Sequence, residues 1–374
     1  MRLLDRFLLR ELLIPLGYCL GGFLIFWISF DLLSELTHFQ KQRLHASDVV
    51  EYYLVKTPDL LMVVIPIALL LALLYALTNH ARHNELTAMR AAGVGIWRIA
   101  LPYLGVGFVF SLVLFALNEY FVPSSFEAAE EIYNRRLSPK GNAPKNQWQT
   151  NLFFVNTHDN RVWQIGAYNV KTHEMRDLQM DWRLPDGSRV QFNADHASWT
   201  NRAWLLWGGV QKLEFPPSGT DLPSQSRTDS LLMPELTEKP ARIRSEIKIN
   251  KLDSLKDAKK TQLSIKEILQ FLQWHSQLDA KKHALLTTKL HYHFAIPWTC
   301  LVVVLIAIPF GANSGRRNVF VGVASSVLIC FAYFILRELS LALGSGGFVA
   351  PWLAAWAPNF FFAATGIILT FRNR

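Results

Sequence analysis

The sequence predicts an α-helical membrane protein of six transmembrane helices in two groups of three. A β-jellyroll-like domain is inserted between helices three and four. Three observations carry this expectation. Long uncharged stretches form two sets separated by a more polar segment. The arginines of the short connections fall on alternate ends of those stretches. Inside the polar segment the apolar period changes from helical to two. The expected divisions are 1–120, 121–284 and 285–374.

The uncharged stretches are Leu12–Phe30, Leu60–Ala81, Ile99–Asn118, Phe294–Gly315, Asn318–Leu336 and Leu339–Phe371. About 20 apolar residues cross a bilayer core as a helix. A helix satisfies its own backbone there, so each stretch reads as a helical span. The last stretch is too long for one span. Gly344-Ser345-Gly346-Gly347 and Pro351 place a turn inside it,. The final span then covers Trp352–Phe371, and the fifth runs past Arg337 and Glu338 to about Leu343. The N-terminal arginines before an apolar run resemble a signal peptide, but the run is too long. It reads as a retained anchor preceded by an amphipathic segment.

Charge sets the expected orientation. Arg2, Arg6, Arg10, Arg82, Arg90, Arg98, Arg316, Arg317, Arg372 and Arg374 lie at one set of ends, against Lys41, Arg43, Lys56 and Arg337 at the other. Basic residues favour the cytoplasmic side, so both termini are expected in the cytoplasm and the inserted domain outside. Much of the net charge of +9 is this topological arginine, and no nucleic-acid partner is expected,. Cys19, Cys300 and Cys330 all fall in spans, so no disulfide framework supports the inserted domain,.

That domain begins as a helix leaving the third span, Phe126–Ile132, ended by Pro139, Gly141 and Pro144,. Alternation follows at Leu178, Met180 and Trp182, at Val190 and Phe192, and at Leu213 and Phe215,. Pro185-Asp186-Gly187 reads as a turn, and Trp199–Trp204 as a hairpin tip,. Phe153, Phe154, Trp163, Trp182, Trp199, Trp204 and Trp207 suit a sandwich core, a groove for an apolar ligand, or an edge that docks another β domain,. From Gln262 the period is helical again through Ile265, Ile268, Leu269, Leu272 and Leu278, with Ser264 and Glu267 as a capping box,. This segment is expected beside the membrane or leading back into it.

The loop between spans two and three carries the most specific signal, Arg82-His83-Asn84-Glu85-Leu86-Thr87-Ala88-Met89-Arg90-Ala91-Ala92-Gly93. Asn84 reads as an N-cap and Gly93 as the residue that stops the helix. Leu86, Met89 and Arg90 recur about a turn apart, and Glu85 sits in the first turn, where the dipole favours a carboxylate. A plain connector needs only about two to six residues, so a separate capped helix near 84–92 suits docking of a soluble partner.

The run Glu85–Gly93 resembles the coupling-helix signature of the LptF/LptG permease family. Other segments agree: Leu4-Asp5-Arg6-Phe7, then Leu290-His291 through Ala295-Ile296-Pro297 to Ile308-Pro309-Phe310-Gly311, and Pro351–Asn359. Ala194-Asp195-His196-Ala197 and Trp204-Leu205-Leu206 resemble the family's jellyroll strands. The likeness covers essentially the whole chain. It implies an inner-membrane subunit of a lipopolysaccharide exporter, paired with a second LptF/LptG-type subunit. An LptB-type ATPase dimer would use ATP and Mg, and LptC-type and LptA-type jellyroll proteins would extend a bridge outward. By that likeness Glu85 contacts the ATPase, while Leu86, Met89 and Arg90 help seat the helix. The chain itself has no G-x-x-x-x-G-K-[ST] loop and no nucleophile motif, so it is not expected to be an enzyme or to bind a cofactor,.

The pattern departs from the family at the outer end of span one. Asp31 and Glu35 stand where lysines are usual, and Lys41 and Arg43 come later. Lys41, Arg43 and Lys289 are the candidate contacts for an anionic lipid headgroup, with solvated loop charge and membrane-edge snorkelling as the other readings. Lys289, His291 and His293 are expected to form a basic cluster. Arg337 and Glu338, being adjacent on a helix, are expected to be poor partners. The sequence also fits two rival functions. One is a non-transporting receptor or scaffold, and the other a secondary transporter, which would show paired interrupted spans and a midplane ionisable cluster.

Overall fold

The computed structural model describes residues 3–134, 148–217, 223–250, 263–275, 278–312 and 319–372. It divides into a helical unit, residues 1–133 with 279–374, and a second unit, residues 134–278. Pro139, Gly141 and Pro144, expected to end the exit helix, lie outside the described residues, as do Arg316 and Arg317.

In the helical unit α1 (Leu3–Lys41) is one unbroken helix, so the expected N-terminal amphipathic segment is simply its first turns. Helix α2 (Ala46–Arg82) is followed by the short α3 (Glu85–Ala91) and by α4 (Ile96–Ala116). A π-helical turn, Leu117–Phe121, joins α4 to α5 (Val122–Asn134). Among the described residues, six helical stretches are long and apolar enough to cross a membrane. Pro15, Pro58, Pro66 and Pro102 lie within these helices, which membrane spans tolerate when neighbours re-satisfy the freed carbonyls,. Helix α2 is the hub. Its Ala68, Leu69, Ala72 and Leu73 are fully buried and share one core with Leu8, Leu12 and Leu16 of α1 and Tyr103 of α4.

The inserted unit is a six-stranded antiparallel meander of order β1-β2-β3-β4-β5-β6. Its strands are β1 (Trp148–Asn156), β2 (Arg161–Asn169), β3 (Glu174–Arg183), β4 (Arg189–Thr200), β5 (Ala203–Phe215) and β6 (Ser224–Met233). The hairpin tip sits where expected. Asn201 and Arg202 both take positive φ, as a two-residue turn matching strand twist requires,. Asp186 Oδ1 accepts from Ser188 N at 2.9 Å to close the other expected turn,. Leu178, Met180, Val190 and Phe192 are buried, whereas Leu213 and Phe215 are only partly so. The ladder slips between Asn193 and His196 and again between Trp207 and Val210, where Gly208 and Gly209 have positive φ. These bulges bend the strands and shift which residues face inward.

Helix α6 (Pro240–Asn250) sends Ile243 and Ile247 into the sheet's core beside Trp163 and Trp204. Helix α7 (Ile265–Trp274) has the expected Ser264–Glu267 capping box. Within the β unit this segment packs against α6 and the β1–β2 turn. Lys248 pairs with Glu267 at 2.9 Å, the Arg242 guanidinium lies 4.1 Å from the Trp274 ring, and Thr157 Oγ1 donates to Trp274 O at 2.6 Å. The helical period identified α7 correctly but carried no information on which surface its apolar face meets.

After the β unit, α8 (Ala280–Ala295) leads through a 3-10 turn, Ile296–Trp298, into α9 (Thr299–Ala312). Helix α10 (Val319–Ser345) passes Arg337 and Glu338 without interruption, and α11 (Pro351–Arg372) is the expected last span. Arg337 and Glu338 are partners after all, at 2.7 Å. Their Cα–Cβ bonds point in different directions, but both side chains are long enough to meet along the helix surface. Close helix approach depends on Gly366, where an added Cβ would stand 2.6 Å from Leu305 O. Gly366→Ala is expected to cost about 1–3 kcal/mol through overpacking, read as a lowered Tm of the detergent-purified chain.

Candidate functional site

The elbow between α2 and α4 gathers the residues singled out in the sequence. His80 lies in the last turn of α2 and is 1 % exposed. Its Nδ1 is 2.6 Å from Glu85 Oε2 at the start of α3, and its ring centroid is 5.6 Å from that of Phe7. An ionised carboxylate only accepts, so Nδ1 is the donor of this bond. Asn84 occupies the N-cap position, but not as a cap. Its φ of 57° is left-handed and its side chain makes no capping bond. Asparagine tolerates that conformation, so Asn84 turns the chain rather than closing the helix. The far end is as expected. Gly93 has φ +82°, Gly93 N donates to Arg90 O, and Val94 N donates to Met89 O, which is the Schellman pattern,.

The side chains of α3 divide by face. Leu86 is buried in the core of the helical unit and Met89 packs at its edge. Leu86 therefore seats the helix on its own bundle. Thr87, Ala88 and Arg90 are exposed, and Glu85 keeps 40 % of its side chain accessible. Beside this exposed face lies a concavity of about 440 Å³ lined by Arg90, Gly93, Val94, Gly95, Ile96 and Trp97. At the start of α4, Arg98 pairs with Asp5 at 2.7 Å, and the Trp97 and Phe371 rings meet at 5.7 Å. These contacts bring the starts of α1 and α4 and the ends of α2 and α11 to one end of the bundle. Arg6, Arg10, Arg82, Arg90, Arg98 and Arg372 belong to these helix ends.

The opposite end holds the candidate headgroup residues. Lys41 and Arg43 are exposed at the α1–α2 turn, where Arg43 has φ 54°. Lys289 is half-buried on α8. The expected cluster of Lys289, His291 and His293 does not form as such. His293 is buried and its Nδ1 lies 2.8 Å from Asn118 Nδ2. Residues four apart share a helix face, while His291, midway between, projects from another. Asp31 is not left to repel an anion. It accepts from Lys56 Nζ and from Tyr53 Oη, each at 2.9 Å. Sequence reading missed His80, Lys56 and Asn118 as partners because each meets a residue on another helix. The only local hint was a histidine five residues before Glu85.

A family model described as lipopolysaccharide export system permease LptF/LptG matches residues 6–372. The chain belongs to the LptF/LptG family. No curated protein matches it significantly. As an LptF/LptG-type chain it is a multi-pass inner-membrane permease component of the lipopolysaccharide export system, which works together with other Lpt proteins. Six apolar helices and an antiparallel sheet between the third and the fourth fit that family.

Proposed function

We propose that this LptF/LptG-type chain is one half of an ATP-driven lipopolysaccharide extractor. It takes the lipid from the outer leaflet of the inner membrane and passes it to a periplasmic jellyroll bridge. Family membership over residues 6–372 carries the reading. The geometry of α3 gives it a mechanism. The short helix is anchored to the bundle by Leu86 and offers Glu85 and Arg90 outward beside a concavity, which suits docking to a soluble ATPase dimer of LptB type. ATP and Mg would belong to that partner, and its closure would push α3 and, through it, α2. A rocking span is a two-state element that a distant ligand can bias. A second LptF/LptG-type subunit would complete the lipid cavity, and LptC-type and LptA-type proteins would continue the bridge. Lys41, Arg43 and Lys289 remain the proposed headgroup contacts, since exposed or half-buried cations near a membrane edge attract anionic lipid,.

Orientation follows the arginines. With the arginine-bearing end of the bundle in the cytoplasm, α3 meets the ATPase and the β unit is periplasmic. A cysteine introduced at the β4–β5 turn, Asn201→Cys, tests this. The native cysteines lie in α1, α9 and α10, and Cys300 is buried. A membrane-impermeant maleimide is expected to label position 201 in intact spheroplasts. Labelling only after lysis would overturn the orientation and with it the proposed coupling.

A further inference from the structure

We propose that His80 is the positioning residue of the coupling helix: from inside the bundle it grips one oxygen of Glu85, presents the carboxylate to the ATPase, and carries the partner's push directly into α2. The inference rests on the reading of α3 as the ATPase dock. It adds to that reading a residue that no partner can touch, because His80 is 1 % exposed.

A buried polar ring loses its hydration and must be compensated by hydrogen bonds. Nδ1 of His80 is compensated by Glu85 at 2.6 Å, while Nε2 finds no hydrogen-bond partner among the described residues. An apolar side chain would fill this position, between Phe7 and the end of α2, without leaving such an atom unsatisfied. What the histidine supplies is the single bond to Glu85. That bond crosses the elbow. Without it, α3 is tied to α2 by the backbone at His83 and Asn84, where Asn84 is left-handed, and to the bundle by the non-directional packing of Leu86 and Met89. A directional bond to a charged group is the stiffer link.

The geometry also leaves the carboxylate usable. The bond occupies one of its two oxygens, and the Glu85 side chain remains 40 % exposed. A partner cation can therefore take the second oxygen while His80 holds the first. Groups that orient a contact residue from behind fix its rotamer and lower the ordering cost of binding.

The test uses the full complex purified with its ATPase and reconstituted in vesicles of inner-membrane phospholipid containing lipopolysaccharide. The readout is lipid released per ATP hydrolysed, a ratio that a general loss of folded protein does not change. His80→Phe fills the site without a donor and is expected to lower the ratio about tenfold, as loss of a charge-assisted bond implies. His80→Asn places an amide donor near the Nδ1 position and is expected to restore most of it. In the Glu85→Gln background, where the bond survives without the charge, His80→Phe is expected to cost less than in wild type, because a neutral bond is the weaker link. An unchanged ratio in His80→Phe, or His80→Asn no better than His80→Phe, would overturn the role of His80 while leaving the docking role of Glu85 intact. Failure of the wild-type chain to bring an ATPase with it would overturn both.

Discussion

Glu85→Ala is expected to uncouple the chain from its ATPase: the purified complex should lose most of its associated ATPase, or retain it with lipid release abolished. The variant removes two things together. It deletes the outward carboxylate, and truncating one member of a buried or semi-buried charged contact costs about 2–5 kcal/mol at an interface. It also strands His80, whose Nδ1 would then join Nε2 as an unsatisfied atom inside the bundle. Glu85→Gln separates the two effects, since the amide oxygen still accepts from His80 while the charge is gone. Association measured by pull-down in mild detergent should rank wild type above Glu85→Gln and Glu85→Gln above Glu85→Ala. Equal recovery across the three would remove Glu85 from the interface.

The second large effect is expected in the β unit. Glu238 is fully buried and Arg161 is 3 % exposed, and they pair at 3.0 Å. Asn156 Nδ2 donates to Glu238 Oε1 at 2.6 Å, and Trp204 Nε1 donates to Glu238 O at 2.7 Å. One glutamate thus ties the end of β1, the start of β2, the start of β5 and the segment leading into α6. Glu238→Ala leaves the Arg161 guanidinium buried with Asp159 at 2.9 Å, the Glu235 carbonyl at 3.4 Å and the Trp182 ring to answer it. Breaking a buried pair in this way costs about 3–5 kcal/mol. That is a large share of the roughly 5–15 kcal/mol that holds a domain folded, so the variant should show protease sensitivity in the β unit at temperatures where wild type resists. Resistance equal to wild type would contradict the network's role.

The same network predicts an acid limit. Burial alone would raise the Asp159 carboxyl, but hydrogen bonds from Thr237, His158 and Asn156 and the Arg161 charge outweigh it and hold the pKa at about 2. A carboxylate depressed on folding contributes stability that is present above its unfolded pKa of about 3.9 and lost as pH falls through the folded value. Asp159→Asn should therefore flatten the stability loss of the β unit between about pH 4 and pH 2.

Much of this architecture was legible from local pattern. The order of the apolar helices, the turn at Gly344–Pro351, the hairpin tip at Asn201-Arg202 and the Gly93 stop of α3 each follow from a few neighbouring residues. What escaped depends on residues far apart in the chain or on a backbone slip. Arg161 and Glu238 are 77 residues apart, and Asn118 and His293 are 175 apart. The bulge between Asn193 and His196 shifts the inward face from Phe192 and Ala194 to Ala197, which a strict period of two cannot represent. Of the coupling site, the separate short helix with Glu85 in its first turn was readable from local pattern. The direction of Leu86 and the grip of His80 were not, because both depend on how α3 folds back onto α2.

The most direct measurement of the central claim is ATP-dependent release of lipopolysaccharide from vesicles holding this chain with its co-purified subunit and ATPase, captured by a soluble periplasmic jellyroll acceptor. Release is expected to require ATP and to fall to background in Glu85→Ala. An assembled complex that hydrolyses ATP but releases no lipid, or releases it equally without ATP, would contradict it.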